Sequence, residues 1–324
     1  MTLLDKAKKI PGMIEPIEQS MLFELAQNVQ LSSNDYIVEF GTFFGRSTYC
    51  LSSGFLKNNL KDKSNVILAL DSFSCSSKGS FSDIVQTMAK IGNVEELLDI
   101  SNKKLSFQRI FENYLSDEIK EGVVIHKAKE LKNSFPIKRG KIVLMHIDSP
   151  KFYREFSFII NRFFPLLKEN SFIVFQDYFY HWSATLVAAI QLLYELNIIK
   201  FLYSKASSLC VQVCRIPFKK EINVIDQKMN RNDIVVKMLD NAIKSSKLYN
   251  IDREVQFLPR LYLAKIQFLY SIGEIVNANE LRNFMNESNM VNKPILDDYM
   301  ELLKFNFSME KLYLQDHQPV NKFK

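Results

Sequence analysis

An α/β fold on a mostly parallel sheet is predicted for these 324 residues, and three observations predict it. Apolar runs without polar alternation, typical of strands buried on both faces, occur at 36–38, 66–70, 141–147 and 171–175. Segments with helical apolar spacing lie between them. The runs lead into Glu39, Asp71, Asp148 and Asp177, which a parallel sheet would gather along one carboxyl rim. Strand alternating with helix gives a Rossmann-like sheet with helices on both faces. The last two runs, 198–203 and 208–215, predict an antiparallel hairpin at its edge. Past Pro217 the pattern becomes helical, so the expected organisation is a helical segment (1–34), an α/β domain (35–217) and an α-helical C-terminal region (218–324).

Composition narrows the class. A hydrophobic content of 47% and a charged content of 24% are those of an ordinary globular protein. The net charge of +6 comes with scattered lysines, which predicts a solvated basic surface and no nucleic-acid site. No apolar run approaches ~18 residues, and the first residues lack the apolar stretch of a signal peptide, so no membrane span and a cytoplasmic location are expected. Cys50, Cys75, Cys210 and Cys214 suggest reduced thiols; Cys210 and Cys214 have no histidine at zinc-site spacing.

Taken in order, residues 16–30 carry Ile17, Met21, Leu22, Leu25 and Val29 at helical spacing, with Glu18, Gln19, Glu24 and Gln27 on the polar side. The strand at 36–38 runs into Glu39 and a turn bounded by Gly41 and Gly45, and a helix follows from Ser47. Gly41 permits a sharp exit from the strand, Gly45 permits close approach to a ligand, and the helix amides would face that ligand. An ordinary βα turn without a ligand is the competing reading. The strand at 66–70 ends at Asp71, where nucleotide-binding α/β folds hold ribose hydroxyls; a capping or surface Asp is the alternative. Residues 72–120 predict an irregular start and helices near 83–90 and 103–115, either an insertion over the site or structural padding. Helices at 153–168 and 184–196 flank the strand at 171–175. Residues 261–272 and 275–285 predict a helical hairpin hinged at Gly273.

The glycine spacing fits neither the dinucleotide fingerprint nor a P-loop. Glu39, Gly41, Thr42, Gly45 and Ser47 instead resemble the first motif of class I S-adenosylmethionine (SAM)-dependent methyltransferases. Asp71 with Ser72 and Phe73, the run into Asp148, Tyr153, the segment 164–167, and Gln176, Asp177, Tyr178 and Trp182 are similar to the macrocin O-methyltransferase-like (TylF-type) family over residues 35–215. That resemblance implies transfer of a methyl group from SAM to a hydroxyl, with Mg²⁺, on a sugar of a glycan or secondary metabolite. It implies cofactor contacts from Glu39, Gly41, Thr42, Gly45, Ser47, Asp71 and Ser72, and a metal held by Asp148, Gln176 and Asp177.

This chain departs from the family at the metal. Gln176 stands where the family has an acid, so Mg²⁺ would bind more weakly. Lys151 puts a cation where the family has an anion. Without a metal a general base is required, and His181 is the best candidate, ahead of His146, which lies inside an apolar strand and is expected to hydrogen-bond within the core; Asp148 is the other expected catalytic residue. A SAM-binding assembly protein without turnover is the alternative function, and an oxidoreductase is disfavoured by the glycine spacing. The C-terminal helices could serve a homo-oligomer, an acceptor cap or a partner.

Overall fold

The computed structural model describes residues 3–128, 140–149, 151–180, 183–246 and 257–288. Helices α1 (Leu3–Lys9) and α2 (Pro16–Asn28) precede strand β1 (Tyr36–Phe40), helix α3 (Arg46–Phe55) and strand β2 (Val66–Asp71). An insertion follows: β3 (Ser74–Ser76), α4 (Ser80–Ile91), β4 (Asp99–Ser101), β5 (Lys104–Ser106), α5 (Gln108–Tyr114) and α6 (Ser116–Lys120). The chain returns through β6 (Val124–Ala128), β7 (Ile142–Ile147), α7 (Tyr153–Phe163), β8 (Leu167–Phe175), α8 (Ala184–Glu195), β9 (Ile199–Lys205) and β10 (Ser208–Val213). Four helices close it: α9 (Lys219–Met229), α10 (Asn232–Ser245), α11 (Phe257–Ser271) and α12 (Ile275–Glu287).

The main sheet has the order β6-β2-β1-β7-β8-β10-β9. Its pairs are parallel from β6 to β8, and β10 runs antiparallel between β8 and β9, so the predicted edge hairpin is present. Three-residue strands β3, β5 and β4 form a separate small antiparallel sheet. Sequence periodicity missed it because Ser-Cys-Ser, Asp-Ile-Ser and Lys-Leu-Ser are each too short to show alternation.

Strand alternation sends side chains to two core layers. Tyr36, Val38, Phe40, Met145, Ile147, Ile173 and Phe175 pack against α7 and α8. Ile37, Leu144, Val174 and Cys210 pack against α2 and α3. The C-terminal helices share the first layer: Ile222, Ile225, Val235, Leu239 and Leu261 join the same apolar cluster. Asp226 of α9 pins them to α7, receiving the Tyr153 hydroxyl, the Ser157 hydroxyl at 2.7 Å and the Asn161 amide at 3.1 Å. The predicted α11–α12 hairpin turns at Gly273, which has φ +83°. All four cysteines are unpaired. Among the described residues, no helix is long and apolar enough to cross a membrane.

Candidate active site

Chain direction away from β1 reverses in the sheet: β2 and β6 lie on one side of it, β7 and β8 on the other. Ligands of open α/β sheets bind outside the carboxyl ends at such a switch point. The Phe40 carbonyl joins the two sides there, accepting the amides of Asp148 at 2.9 Å and Ser149 at 3.0 Å. Asp71, the Gly41–Gly45 turn, Asp148 and Asp177 consequently follow one another along a single rim.

Asp71 organises the turn. Its Oδ2 accepts the amides of Thr42 at 2.7 Å and Phe43 at 2.9 Å, and its Oδ1 accepts the Phe73 amide at 2.8 Å; the Ser72 hydroxyl lies 3.4 Å from Oδ1 and donates to the Ser74 carbonyl at 2.9 Å. Burial pushes the Asp71 carboxyl up, the three amides pull it down, and nearby Asp148 pushes it up again, for a net rise. Ser72 is exposed beside it. For the ribose of an adenosyl cofactor this donor and acceptor set fits: Oδ1 has lone-pair capacity beyond its one short bond, and the Ser72 hydroxyl is accessible.

Gly41 makes the sharp exit expected of it, whereas Gly45 meets protein side chains where a ligand was expected. A Cβ on Gly41 (φ +82°) would sit 2.9 Å from both the Cβ and the amide nitrogen of Ser149, so the missing side chain lets β1 close onto the end of β7. A Cβ on Gly45 (φ +96°) would fall 2.4 Å from Leu115 Cδ2 and 3.1 Å from Phe111. The insertion packs where a ligand was expected. Phe43, at φ +49°, stacks on Phe44 with centroids 4.1 Å apart and faces Phe107 at 5.5 Å. The Thr42 and Ser47 side chains are buried, and the Thr42 amide is spent on Asp71.

Glu39 requires a correction. Alternation puts it on the face of Ile37, beneath α3, where it is fully buried. Its Oε2 accepts the Thr48 hydroxyl at 2.5 Å and its Oε1 meets His146 Nδ1 at 2.9 Å, so it supports the turn from below and does not reach a ligand. Burial alone would lower the His146 pKa, but the hydrogen bond and charge of Glu39 outweigh it and raise it. The polar row continues sideways on the same sheet face. His146 Nε2 lies 3.5 Å from Gln176 Oε1, and the Gln176 amide donates to Glu18 Oε1 at 3.0 Å. Ser208 lies 2.8 Å from Gln176 Oε1 and 2.7 Å from Glu18 Oε1. Glu18 was read as a polar-face residue of α2, yet it is 1% exposed while Ile17 is 44% exposed. Burial raises its pKa. Alternation along the strands could have found this row, because Glu39, His146, Gln176 and Ser208 all share the face of α2.

The rim beyond β7 and β8 holds an ion triad. Lys151 Nζ donates to Asp148 Oδ1 at 2.7 Å and to Asp177 Oδ2 at 2.5 Å, with side-chain exposures of 30%, 28% and 19%. Burial alone would lower the Lys151 pKa, but the two carboxylates reverse this and hold it above the ordinary lysine value. Burial raises the Asp177 carboxyl, Lys151 lowers it and Asp148 raises it, for a net rise.

These contacts decide the metal question. The expected set of Asp148, Gln176 and Asp177 does not fit Mg²⁺: Gln176 is 4% exposed and turned into the core row, and an ammonium lies between the two carboxylates. Their approach distances are those of charged hydrogen bonds, against about 2.0–2.1 Å for Mg²⁺–oxygen bonds. His181 and Trp182 lie outside the described residues.

Residues 38–178 match a protein family described as a methyltransferase domain, a span from β1 to Tyr178 that takes in Asp71, Asp148 and Asp177. The sheet that carries this span is Rossmann-like, mostly parallel with an antiparallel edge hairpin. Among solved structures the chain is similar to the O-methyltransferase NovP, at 12% identity over 63% of this chain and 83% of that one, with a TM-score of 0.44. It is also similar to CalS11, a TDP-rhamnose 3'-O-methyltransferase of calicheamicin biosynthesis, at 12% identity over 60% and 77%, with a TM-score of 0.39. A third is the S-adenosylhomocysteine-bound methyltransferase PaMTH1 of Podospora anserina, at 13% identity over 66% and 88%, with a TM-score of 0.39. No curated protein matches the chain.

Proposed function

We propose that the protein is a SAM-dependent O-methyltransferase acting on a hydroxyl of a small molecule, with a sugar of a glycan or secondary metabolite as the acceptor class. The observation that carries this reading is Asp71, bound to the turn amides of Thr42 and Phe43 beside the switch point. When bound, the cofactor supplies a methyl group already activated on a sulfonium. Asp71 Oδ1 and the Ser72 hydroxyl hold the ribose hydroxyls. Asp148, the more exposed carboxylate of the triad, orients the acceptor hydroxyl. Asp177, at the rim beside Asp148 and made more basic by burial, would accept the hydroxyl proton when the acceptor oxygen takes the methyl group. His181, just before α8, is the second candidate for that proton.

Calorimetry with SAM and S-adenosylhomocysteine on the full chain tests the reading. Binding is expected, and Asp71→Ala weakens it roughly ten- to hundredfold, as loss of a hydrogen bond to a charged group implies (about 1.5–3 kcal/mol). Because Asp71 also fixes the turn, Ser72→Ala serves as a gentler second variant, with a smaller loss expected. No binding of either compound to the folded wild type overturns the proposal. The other reading, a SAM-binding assembly protein, is favoured by the acceptor half, where Lys151 ties up Asp148 and Asp177 and Gln176 turns to Glu18. Cofactor binding without methyl transfer across a panel of sugars and phenols, with or without Mg²⁺, would select it.

A further inference from the structure

Lys151 is three residues past Asp148 and opens the segment into α7, its own amide tied to Glu155 Oε2 at 3.2 Å. The geometry there is that of a cation site already filled. Two carboxylates from neighbouring strand ends converge on one ammonium, at 2.7 and 2.5 Å, in a niche where all three side chains are less than one-third exposed. The ordinary third member of a divalent site is absent, since the Gln176 side chain is committed to Glu18 and His146. Among the described residues, no group of three or more His, Cys, Asp or Glu side chains is arranged to hold a metal.

We propose that Lys151 is this protein's built-in cation: its ammonium takes the place of a divalent ion between Asp148 and Asp177, and the acceptor half of the site works without one. An ammonium has three donors. Two are engaged by the carboxylates, and the third would be left for the oxygen of the acceptor hydroxyl. A single positive charge against two carboxylates leaves the triad at −1, where a divalent ion would neutralise it. That residual charge suits a site in which a carboxylate, not a metal-bound oxygen, must receive the proton. The identity of the acceptor group rests on the methyltransferase reading; the substitution of a lysine for a metal does not.

The test is a titration of the EDTA-treated full-length protein with Mn²⁺, followed by electron paramagnetic resonance and by calorimetry. Wild type is expected to bind no Mn²⁺ at this site up to millimolar concentration. Lys151→Asp, which replaces the ammonium with a third carboxylate, is expected to bind Mn²⁺ at least tenfold more tightly than wild type, and Asp177→Asn in that background abolishes the gain. Should Lys151→Asp fail to fold, wild type decides alone through its melting temperature, which Mn²⁺ should leave unchanged. Mn²⁺ binding or stabilisation in wild type that disappears in Asp177→Asn overturns the proposal, as does a folded Lys151→Asp with no gain. SAM binding is measured in parallel on the same samples, so failure of the cofactor reading and failure of this one are separate results.

Discussion

Replacing Gly45 with alanine separates two uses of that residue. The added Cβ meets Leu115 Cδ2 at 2.4 Å and Phe111 ring atoms at 3.1–3.2 Å, and the backbone stays at φ +96°. A non-glycine residue in the left-handed region costs about 1–2 kcal/mol, and forcing a methyl into a packed core adds about 1–3 kcal/mol. Leu115 and Phe111 are both fully buried, so neither can swing away into solvent. Gly45→Ala should therefore lower the unfolding free energy by roughly 2–5 kcal/mol, read from urea titrations by circular dichroism. Leu115→Ala alone leaves a cavity worth about 2–5 kcal/mol. The double variant should lose less than the sum of the two, because the cavity admits the new methyl and only the φ penalty persists. Affinity of the folded variant for S-adenosylhomocysteine should stay within about threefold of wild type, well inside the tenfold that 1.4 kcal/mol represents. An unchanged urea midpoint together with a tenfold loss of affinity would refute the reasoning and return Gly45 to the ligand.

Two further outcomes concern the buried polar row and the C-terminal helices. The folded His146 pKa is raised above the unfolded value of about 6.5, so the stability from its pairing with Glu39 is fully present below that pH and is lost as pH rises through the higher folded value. Urea unfolding between pH 6 and 9 should show this decline in wild type and a flatter profile in His146→Gln; equal slopes would show that the pair is not charged. Asp226→Ala removes the acceptor of Tyr153, Ser157 and Asn161, and should speed amide hydrogen exchange in α9 and α10 before global unfolding. Exchange confined to the global rate would mean that apolar packing alone holds these helices.

The sheet was legible because its signal is redundant. Apolar runs such as 66–70 and 141–147 can be little other than buried strands, although their order across the sheet was not read from them. The edge hairpin was legible for the same reason, with a four-residue connection too short for a crossover. What escaped was set by side-chain direction and not by element type. Glu39 and Asp71 both close a strand, yet Glu39 lies within β1 on its inward face while Asp71 ends β2 at the rim. Glycine spacing likewise named the turn but not what fills it, since Leu115 arrives from an insertion seventy residues away in the chain.

An amide at position 176, and not a carboxylate, has a physical reason in its neighbours. Gln176 donates to Glu18 and lies against His146, both almost fully buried. A carboxylate there would put a second acid about 3 Å from Glu18 in place of an N–H donor, and two acids at that distance resist both being ionised in a dry interior. The amide satisfies Glu18 with its nitrogen and accepts Ser208 with its oxygen, which no carboxylate can do at neutral pH. Once position 176 belongs to the core, the rim keeps only Asp148 and Asp177, and two carboxylates of one sign need a counter-charge. Lys151 supplies it from the adjacent segment. The amide in the core and the ammonium at the rim thus solve one electrostatic problem: Gln176 turns inward to meet Glu18, and Lys151 balances the two carboxylates left at the rim.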